Sequence, residues 1–147
     1  MLLDKITASD VMIQLKTENW EDAIRKASRT LLEKGSIEPR YIDAMIKVVY
    51  DNGPYIVIGK HIALAHARTE CGALRTDINF ATLAPAVNFG AGALDPVRLM
   101  ITFSATDPDT HVDLLGELAE ILMDEEKSEA LFNAGSAEAF IQILHSR

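Results

Sequence analysis

Apolar residues alternate with small ones along residues 62–67, where Ile62, Leu64 and His66 are separated by single alanines. This two-residue period predicts a β-strand on which His66 faces the same side as the two aliphatic side chains. The alanines leave space for another group to approach the imidazole ring. Arg68 follows two positions later and can offer a planar, permanently charged guanidinium to a phosphate or carboxylate. The pattern therefore predicts a nucleophile, open space and a counter-charge in one short segment.

Four other segments combine β-branched or aromatic residues with short apolar runs and are predicted to be strands. They are residues 9–16, 55–58, 78–83 and 99–103. In the first of them, Val11, Ile13 and Leu15 are expected on one face. The second is expected to turn at Gly59 and Lys60 into the strand that ends near the histidine, which makes these two strands a hairpin.

The last of these strands is apolar at successive positions, which predicts a central strand covered by helices on both faces. Residues 84–96 are rich in Gly, Ala and Pro and are predicted to be a loop. The chain has 147 residues, of which 48% are hydrophobic, enough for the core of one domain over residues 1–147. The predicted fold is therefore a single three-layer α/β/α domain with a mixed central sheet.

Apolar residues recur at helical spacing in five segments. They are residues 20–34, 38–52, 111–122, 124–134 and 136–145. The first helix is expected to be capped by Thr17 or Asn19 and to end at Gly35. The second is expected to begin with Pro39, because the fixed φ of proline suits the first helical position, and to stop at Gly53.

His111 is expected in the first turn of the third of these helices, after a cap at Asp109 or Thr110. The buried side of that helix is predicted to comprise Val112, Leu115, Leu118, Ala119 and Leu122. Backbone N–H groups and the positive end of the helix dipole favour an anion there and disfavour a charged imidazole. We therefore hypothesise that His111 is a neutral hydrogen-bond donor to a phosphoryl group. A solvated first-turn residue is the alternative interpretation.

The charge and the composition restrict the class of partner. The formal net charge is −8, and clustered Lys and Arg, which nucleic acids and anionic membranes require, are not found in the sequence. A single cysteine, Cys71, excludes an internal disulfide. The N-terminus lacks the apolar core of a signal peptide, and no apolar run is long enough to cross a bilayer. We expect a cytoplasmic protein that binds no nucleic acid and does not insert into a membrane.

Three alternatives to a nucleophilic His66 remain open. A histidine at the end of an apolar strand can be a packed structural residue. His61, His66, Glu70 and Cys71 offer ligand types that zinc accepts, but residues five apart on a straight strand point to opposite faces, so no metal site is predicted. Cys71 could itself be a thiol nucleophile, although a lone cysteine commonly acts as a small hydrophobic residue.

Four blocks in this order resemble the enzyme IIA domain of the mannitol–fructose type from the bacterial phosphoenolpyruvate-dependent sugar phosphotransferase system, and most of all its ascorbate-specific branch. They are EPRYIDAM at 38–45, GPY at 53–55, IALAHAR at 62–68 and DPVRLMITFSATDPDTH at 95–111. An ordered set of blocks across nearly the whole chain is far more specific than a single motif.

The resemblance implies that His66 accepts a phosphoryl group from the histidine-containing phosphocarrier protein and passes it to a cysteine of enzyme IIB, which acts with the membrane component enzyme IIC. It implies that His111 helps to hold the transferred group, and Arg68 is expected to bind its oxygens. No cofactor and no metal are implied. Two positions depart from the family pattern, because Ala65 stands where many members have Pro and Val48 where mannitol-type relatives have Arg.

Two further expectations accompany the resemblance. A regulatory protein of the nitrogen-branch type is the alternative to a transport component, and fructose, mannitol or galactitol are alternatives to ascorbate. An apolar partner surface is expected beside His66, formed in part by residues 84–94.

Overall fold

The computed structural model describes residues 2–146 as a five-stranded mixed sheet with helices on both faces. The strands are β1 (Val11–Leu15), β2 (Val57–Gly59), β3 (Ile62–Ala65), β4 (Asp77–Val87) and β5 (Val97–Ser104). The helices are α1 (Trp20–Ala27), α2 (Arg29–Glu33), α3 (Pro39–Asn52), α4 (Pro108–Leu122), α5 (Glu125–Phe132) and α6 (Ala137–His145). This arrangement confirms the predicted three-layer α/β/α fold. Within residues 2–146, no helix is both long enough and apolar enough to span a membrane.

The sheet has the order β1-β4-β5-β3-β2, with β5 in the centre. β5 pairs with β3 in parallel and with β4 in an antiparallel manner, while β1 runs parallel to β4. Alternate residues of β5 divide the core, since Leu99, Ile101 and Phe103 face α4–α6 and Met100 faces α1–α3. The prediction of a central strand that is apolar on both faces is confirmed.

The predicted common face of Val11, Ile13 and Leu15 is wrong. Gln14 lies in the left-handed region at φ 54°, and the register of β1 against β4 shifts at this point. The Gln14 N–H donates to the hydroxyl of Thr82 at 2.8 Å, which holds the irregular conformation. Val11 and Ile13 therefore face α4–α6, whereas Leu15 packs on the opposite side of the sheet.

The hairpin that leads to His66 turns one residue later than predicted. The turn lies at Lys60 and His61, and His61 has a φ of 70°. Its N–H donates to the carbonyl of Leu94 at 2.8 Å, and its Nδ1 lies 2.7 Å from the carbonyl oxygen of Pro96. These bonds explain why a residue other than glycine adopts a left-handed conformation here, and they give His61 a structural role.

Two other boundaries differ from the prediction. The N-terminal helix is divided at Ser28, whose hydroxyl donates to the carbonyl of Ile24 at 2.6 Å. β4 extends through residues 84–87, so that part of the predicted loop is wrong. The cap at Asn19 and the start of α3 at Pro39 are confirmed, and α5 and α6 fall within the two segments predicted at the C-terminus.

Candidate functional site

The C-terminal ends of β3 and β5 bring the two candidate histidines together. The strands run in parallel and pair up to Ala65 and Thr102, so His66 leaves the sheet beside the segment that leads into α4. The His66 ring stacks on Phe103 with centroids 4.9 Å apart and planes at 16°. The His111 ring makes T-shaped contacts with both rings, its centroid 5.1 Å from that of His66 and 5.1 Å from that of Phe103. Three rings thus form one compact cluster.

The side of the sheet on which His66 lies agrees with the prediction. Ile62 and Leu64 are buried in the apolar cluster that also contains Phe103, whereas Ala63 and Ala65 belong to the cluster on the other face. The period-two pattern therefore predicted the correct face of the sheet for the imidazole.

The start of α4 differs from the prediction. The helix begins at Pro108 and its cap is Asp107, not Asp109 or Thr110. The Asp107 carboxylate accepts from the Thr110 N–H at 2.8 Å and from the Thr110 hydroxyl at 2.8 Å. His111 is the fourth helical residue, and its own N–H donates to the Asp107 carbonyl at 3.2 Å. The cap carboxylate thus engages the first turn, so an anion beside His66 would meet the His111 side chain and not free amides.

The buried side of α4 also differs. Leu114, Leu118 and Ile121 are the buried residues of this helix, and of these only Leu118 was predicted. Val112 is 66% exposed, because it borders the histidine cluster and not the core. The helical pattern alone could not separate an apolar residue that faces a functional surface from one that faces the core.

A cleft of about 520 Å³ opens beside the rings and is bordered by His66, Arg68 and His111. Arg68 is highly exposed, with its Nη1 4.0 Å from the Glu70 carboxylate. Val48 borders the same cleft. The three predicted site residues therefore share one opening, and Arg68 is the permanent cation among them.

The expected contribution of residues 84–94 to the surface beside His66 is wrong. Val87 pairs with Val97 at the beginning of β5, whereas His66 lies at the end of that strand. The apolar side chains that border the cleft with substantial exposure are instead Tyr55, at 53%, and Val112. The error arose because an apolar, Gly-rich composition does not reveal at which end of the sheet a loop lies.

The electrostatic setting of His66 favours the neutral imidazole. Burial lowers the pKa of His66 below its ordinary value, and the adjacent His111 adds to this lowering, while a hydrogen bond to the Leu64 carbonyl opposes it. His66 Nδ1 lies 3.4 Å from that carbonyl oxygen. Because a carbonyl can only accept, a hydrogen bond at this contact requires the proton on Nδ1 and leaves the lone pair on Nε2.

The structure does not assemble the residues of the alternative metal site. His61 lies at the opposite end of β3 from His66, and Cys71 is not among the residues that border the cleft. Within residues 2–146, no group of three or more His, Cys, Asp or Glu side chains is arranged to hold a metal ion.

One residue of the site was not singled out in the sequence, where Tyr41 lies within the predicted helical segment 38–52 and the block at 38–45. Tyr41 is fully buried under the end of β3, and its hydroxyl contacts the backbone of Ala67 and Phe103. Burial raises the pKa of Tyr41 to about 12, so its proton is retained at neutral pH. A tyrosine on the buried side of a helix requires a hydrogen-bond partner for its hydroxyl. This requirement was the signal in the sequence that could have identified Tyr41.

Comparison with known proteins gives a match over nearly the whole chain. The family model described as phosphoenolpyruvate-dependent sugar phosphotransferase system, EIIA 2, matches residues 5–147. The mannitol-specific cryptic phosphotransferase enzyme IIA component of Escherichia coli (strain K12) is 34% identical over 143 residues, which are 97% of each chain. The ascorbate-specific EIIA component of Shigella boydii serotype 4 (strain Sb227) is 31% identical over 122 residues, 82% of this chain and 79% of the relative.

A solved structure adds a similarity in three dimensions. A chain of the complex of enzyme IIA mannitol and phosphorylated enzyme IIB mannitol from Escherichia coli superposes with a TM-score of 0.85 at 28% identity. The superposition covers 97% of this chain and 98% of that chain.

The pKa of His66 gives a test of this geometry. We expect its ring signals in NMR spectra to titrate below the ordinary histidine pKa of about 6.5. In a His111→Ala variant the pKa of His66 should rise, because the repulsive neighbour is lost and water gains access to the ring. A short peptide such as Ala-His-Ala serves as the reference. A His66 pKa at or above that of the peptide would contradict the description.

Proposed function

Because the chain belongs to the type 2 enzyme IIA family of the phosphoenolpyruvate-dependent sugar phosphotransferase system, we propose that His66 is its phosphoryl acceptor. Members of this family are phosphotransferases that relay the phosphoryl group through a phosphohistidine. The observation that carries the proposal is the geometry of His66, a partly buried imidazole at the mouth of a cleft beside a second histidine and an arginine.

The nucleophilic atom in this proposal is Nε2 of His66. Nδ1 is directed to the Leu64 carbonyl, so the lone pair of Nε2 is the one available to the cleft. Burial keeps the ring neutral at pH 7, which preserves that lone pair. Stacking on Phe103 restricts the ring to one plane and therefore limits the directions from which phosphorus can be approached.

Two transfers follow from this assignment. In the first, Nε2 attacks the phosphoryl group carried by the histidine of the phosphocarrier protein, the N–P bond to that histidine breaks, and its imidazole recovers the electron pair. In the second, a cysteine thiolate of enzyme IIB attacks the same phosphorus, and the bond to Nε2 breaks. The solved complex of a mannitol enzyme IIA with phosphorylated enzyme IIB supports enzyme IIB as the receiving partner.

Transfer of this kind depends on positioning and on stabilisation of the charged phosphoryl oxygens. We assign that work to the His111 imidazole, which makes a T-shaped contact with His66, and to the guanidinium of Arg68. The Asp107 carboxylate already accepts hydrogen bonds from the first turn of α4. Side chains therefore provide more of the contact with the phosphoryl oxygens than they would at an uncapped helix terminus.

Both partner proteins must reach the same ring. Tyr55 and Val112 present exposed apolar surface on the border of the cleft, and such surface is common in the centre of protein interfaces. A cytoplasmic location forms part of this proposal.

The proposal extends to ascorbate as the transported sugar, supported by the four sequence blocks, by Val48 and by the 31% identity to an ascorbate-specific component. A mannitol-type system is the second candidate, favoured by 34% identity over 97% of the chain. A regulatory role of the nitrogen-branch type would use the same phosphohistidine.

Mass spectrometry of the intact protein tests the roles of the two histidines. After incubation with phosphoenolpyruvate, enzyme I and the phosphocarrier, the wild type should gain one acid-labile phosphoryl group and His66→Ala should gain none. His111→Ala should still be loaded but should pass the group to enzyme IIB about 100-fold more slowly, a typical cost of losing one donor to the transferred group. His145→Gln, remote from the cleft, is the matched control. Equal and complete loss in both site variants would refute their separate roles.

The contribution of Arg68 can be measured separately. We expect Arg68→Ala to slow loading of His66 by about tenfold or more, because a permanent cation beside the phosphoryl oxygens is removed. Arg25→Ala removes an exposed arginine from α1 and should leave the rate unchanged. The measurement is rapid-quench loading with the ³²P-labelled phosphocarrier. A rate for Arg68→Ala equal to that of the control would remove Arg68 from the site.

Purified enzyme IIB proteins distinguish the candidate systems. The phosphorylated chain should transfer its group to an ascorbate-type enzyme IIB at least tenfold faster than to a mannitol-type enzyme IIB, because cognate surfaces lower the barrier to docking. The reverse order would assign the chain to a mannitol-type system. Transfer to neither protein would favour the regulatory role.

A further inference from the structure

The strand that precedes His66 ends before its neighbour in the sheet does, since β3 stops at Ala65 and β5 continues to Ser104. Pairing of β3 with β5 ends at Ala65 and Thr102, and the His66 ring lies over Phe103. Ala67 is nevertheless buried, at 9% exposure, and its N–H and carbonyl lack a ladder partner in β5. Buried backbone groups require hydrogen bonds, so other atoms must replace the ladder here.

The hydroxyl of Tyr41 replaces those bonds. The Ala67 N–H donates to the Tyr41 oxygen at 3.0 Å, and the Tyr41 O–H faces the carbonyl oxygens of Ala67 at 3.1 Å and Phe103 at 3.0 Å. The single phenolic hydrogen is therefore shared between two acceptors. One atom of α3 thus joins the residue after His66 to the residue beneath its ring.

A second hydroxyl holds the backbone on the C-terminal side of Arg68. The Thr69 Oγ1 donates to the carbonyl of Ala105 at 2.7 Å. Ala105 directly follows β5, so both bonds attach the His66 segment to the same strand end. Tyr41 acts from the buried side and Thr69 from the side that borders the cleft.

We propose that the hydroxyl groups of Tyr41 and Thr69 are positioning groups for phosphoryl transfer, which hold residues 66–69 against the end of β5 and keep the His66 ring stacked on Phe103. This inference rests on the proposed role of His66 as the acceptor. Neither hydroxyl is assigned contact with the phosphoryl group. Their effect is to fix the direction of Nε2, because small displacements of a reacting atom reduce the rate strongly.

A purely structural role makes a different prediction. Tyr41→Phe leaves the N–H of Ala67 and two carbonyls without their partner, so a loss of thermal stability is expected in either case. A structural role would lower activity only as far as it lowers the folded fraction. A positioning role lowers the rate of the folded protein and changes the surroundings of the His66 ring.

The test compares Tyr41→Phe with two controls. Tyr50→Phe removes a phenol hydroxyl that donates to Glu21 on the surface, and Leu144→Ala destabilises the core near β1, three strands away from β3. Loading rates are measured against phosphocarrier concentration at a temperature where all variants are folded by circular dichroism. ¹H–¹⁵N spectra record the His66 ring in each unphosphorylated variant.

We expect kcat for loading to fall about tenfold or more in Tyr41→Phe with little change in KM, together with shifted His66 ring signals. Both controls should retain the wild-type rate, including Leu144→Ala at a comparable loss of Tm. Thr69→Val, which changes a partly exposed side chain, should show the same pattern with a smaller loss. It replaces Tyr41→Phe if that variant does not fold.

The outcomes separate the two levels of the proposal. If the wild type is loaded on His66 but Tyr41→Phe and Thr69→Val both keep its rate and its His66 ring signals, the positioning role is overturned. The function of His66 then stays intact. Rates that fall only in proportion to stability, as in Leu144→Ala, would also overturn it. A wild type that takes no phosphoryl group on His66 would refute the proposed function and the positioning role together.

Discussion

The parallel pairing of β3 with β5 is the constraint on which the candidate site depends. Parallel neighbours end at the same edge of a sheet, and functional residues of open α/β sheets gather beyond those ends. Here the first residue after β3 is His66, while the segment after β5 leads within a few residues to the cap of α4 and to His111. Two histidines that are distant in sequence are thereby brought to a ring separation of 5.1 Å.

Burial adds the chemical property that this placement requires. An exposed imidazole would spend part of its time protonated near neutral pH, but contact with Phe103 and partial burial favour the neutral ring of His66. The same burial would be costly for a transferred phosphoryl group. The cleft offsets this cost by remaining open on one side and by placing the guanidinium of Arg68 at its border.

Sequence patterns predicted those features that depend on local periodicity. The alternation around His66 predicted the face of the sheet on which it lies, because a strand has a period of two. The apolar run of β5 identified the central strand. The common face of β1 failed because one left-handed residue, Gln14, reverses the alternation. The partner surface at residues 84–94 was misplaced because strand direction and order, which composition does not encode, decide which loop lies beside His66. Tyr41 was overlooked for a related reason, since its hydroxyl partners come from two distant segments.

The central claim is that Nε2 of His66 carries the phosphoryl group. Long-range ¹H–¹⁵N spectra of the ¹⁵N-labelled protein, recorded before and after phosphorylation by phosphoenolpyruvate, enzyme I and the phosphocarrier, test it most directly. We expect Nε2 of His66 to lose the chemical shift of a lone-pair nitrogen while Nδ1 keeps that of a protonated one, and the other three histidines to stay unmodified. A phosphoryl group on Nδ1 of His66, or on another residue, would contradict the assignment of Nε2 as the carrier atom.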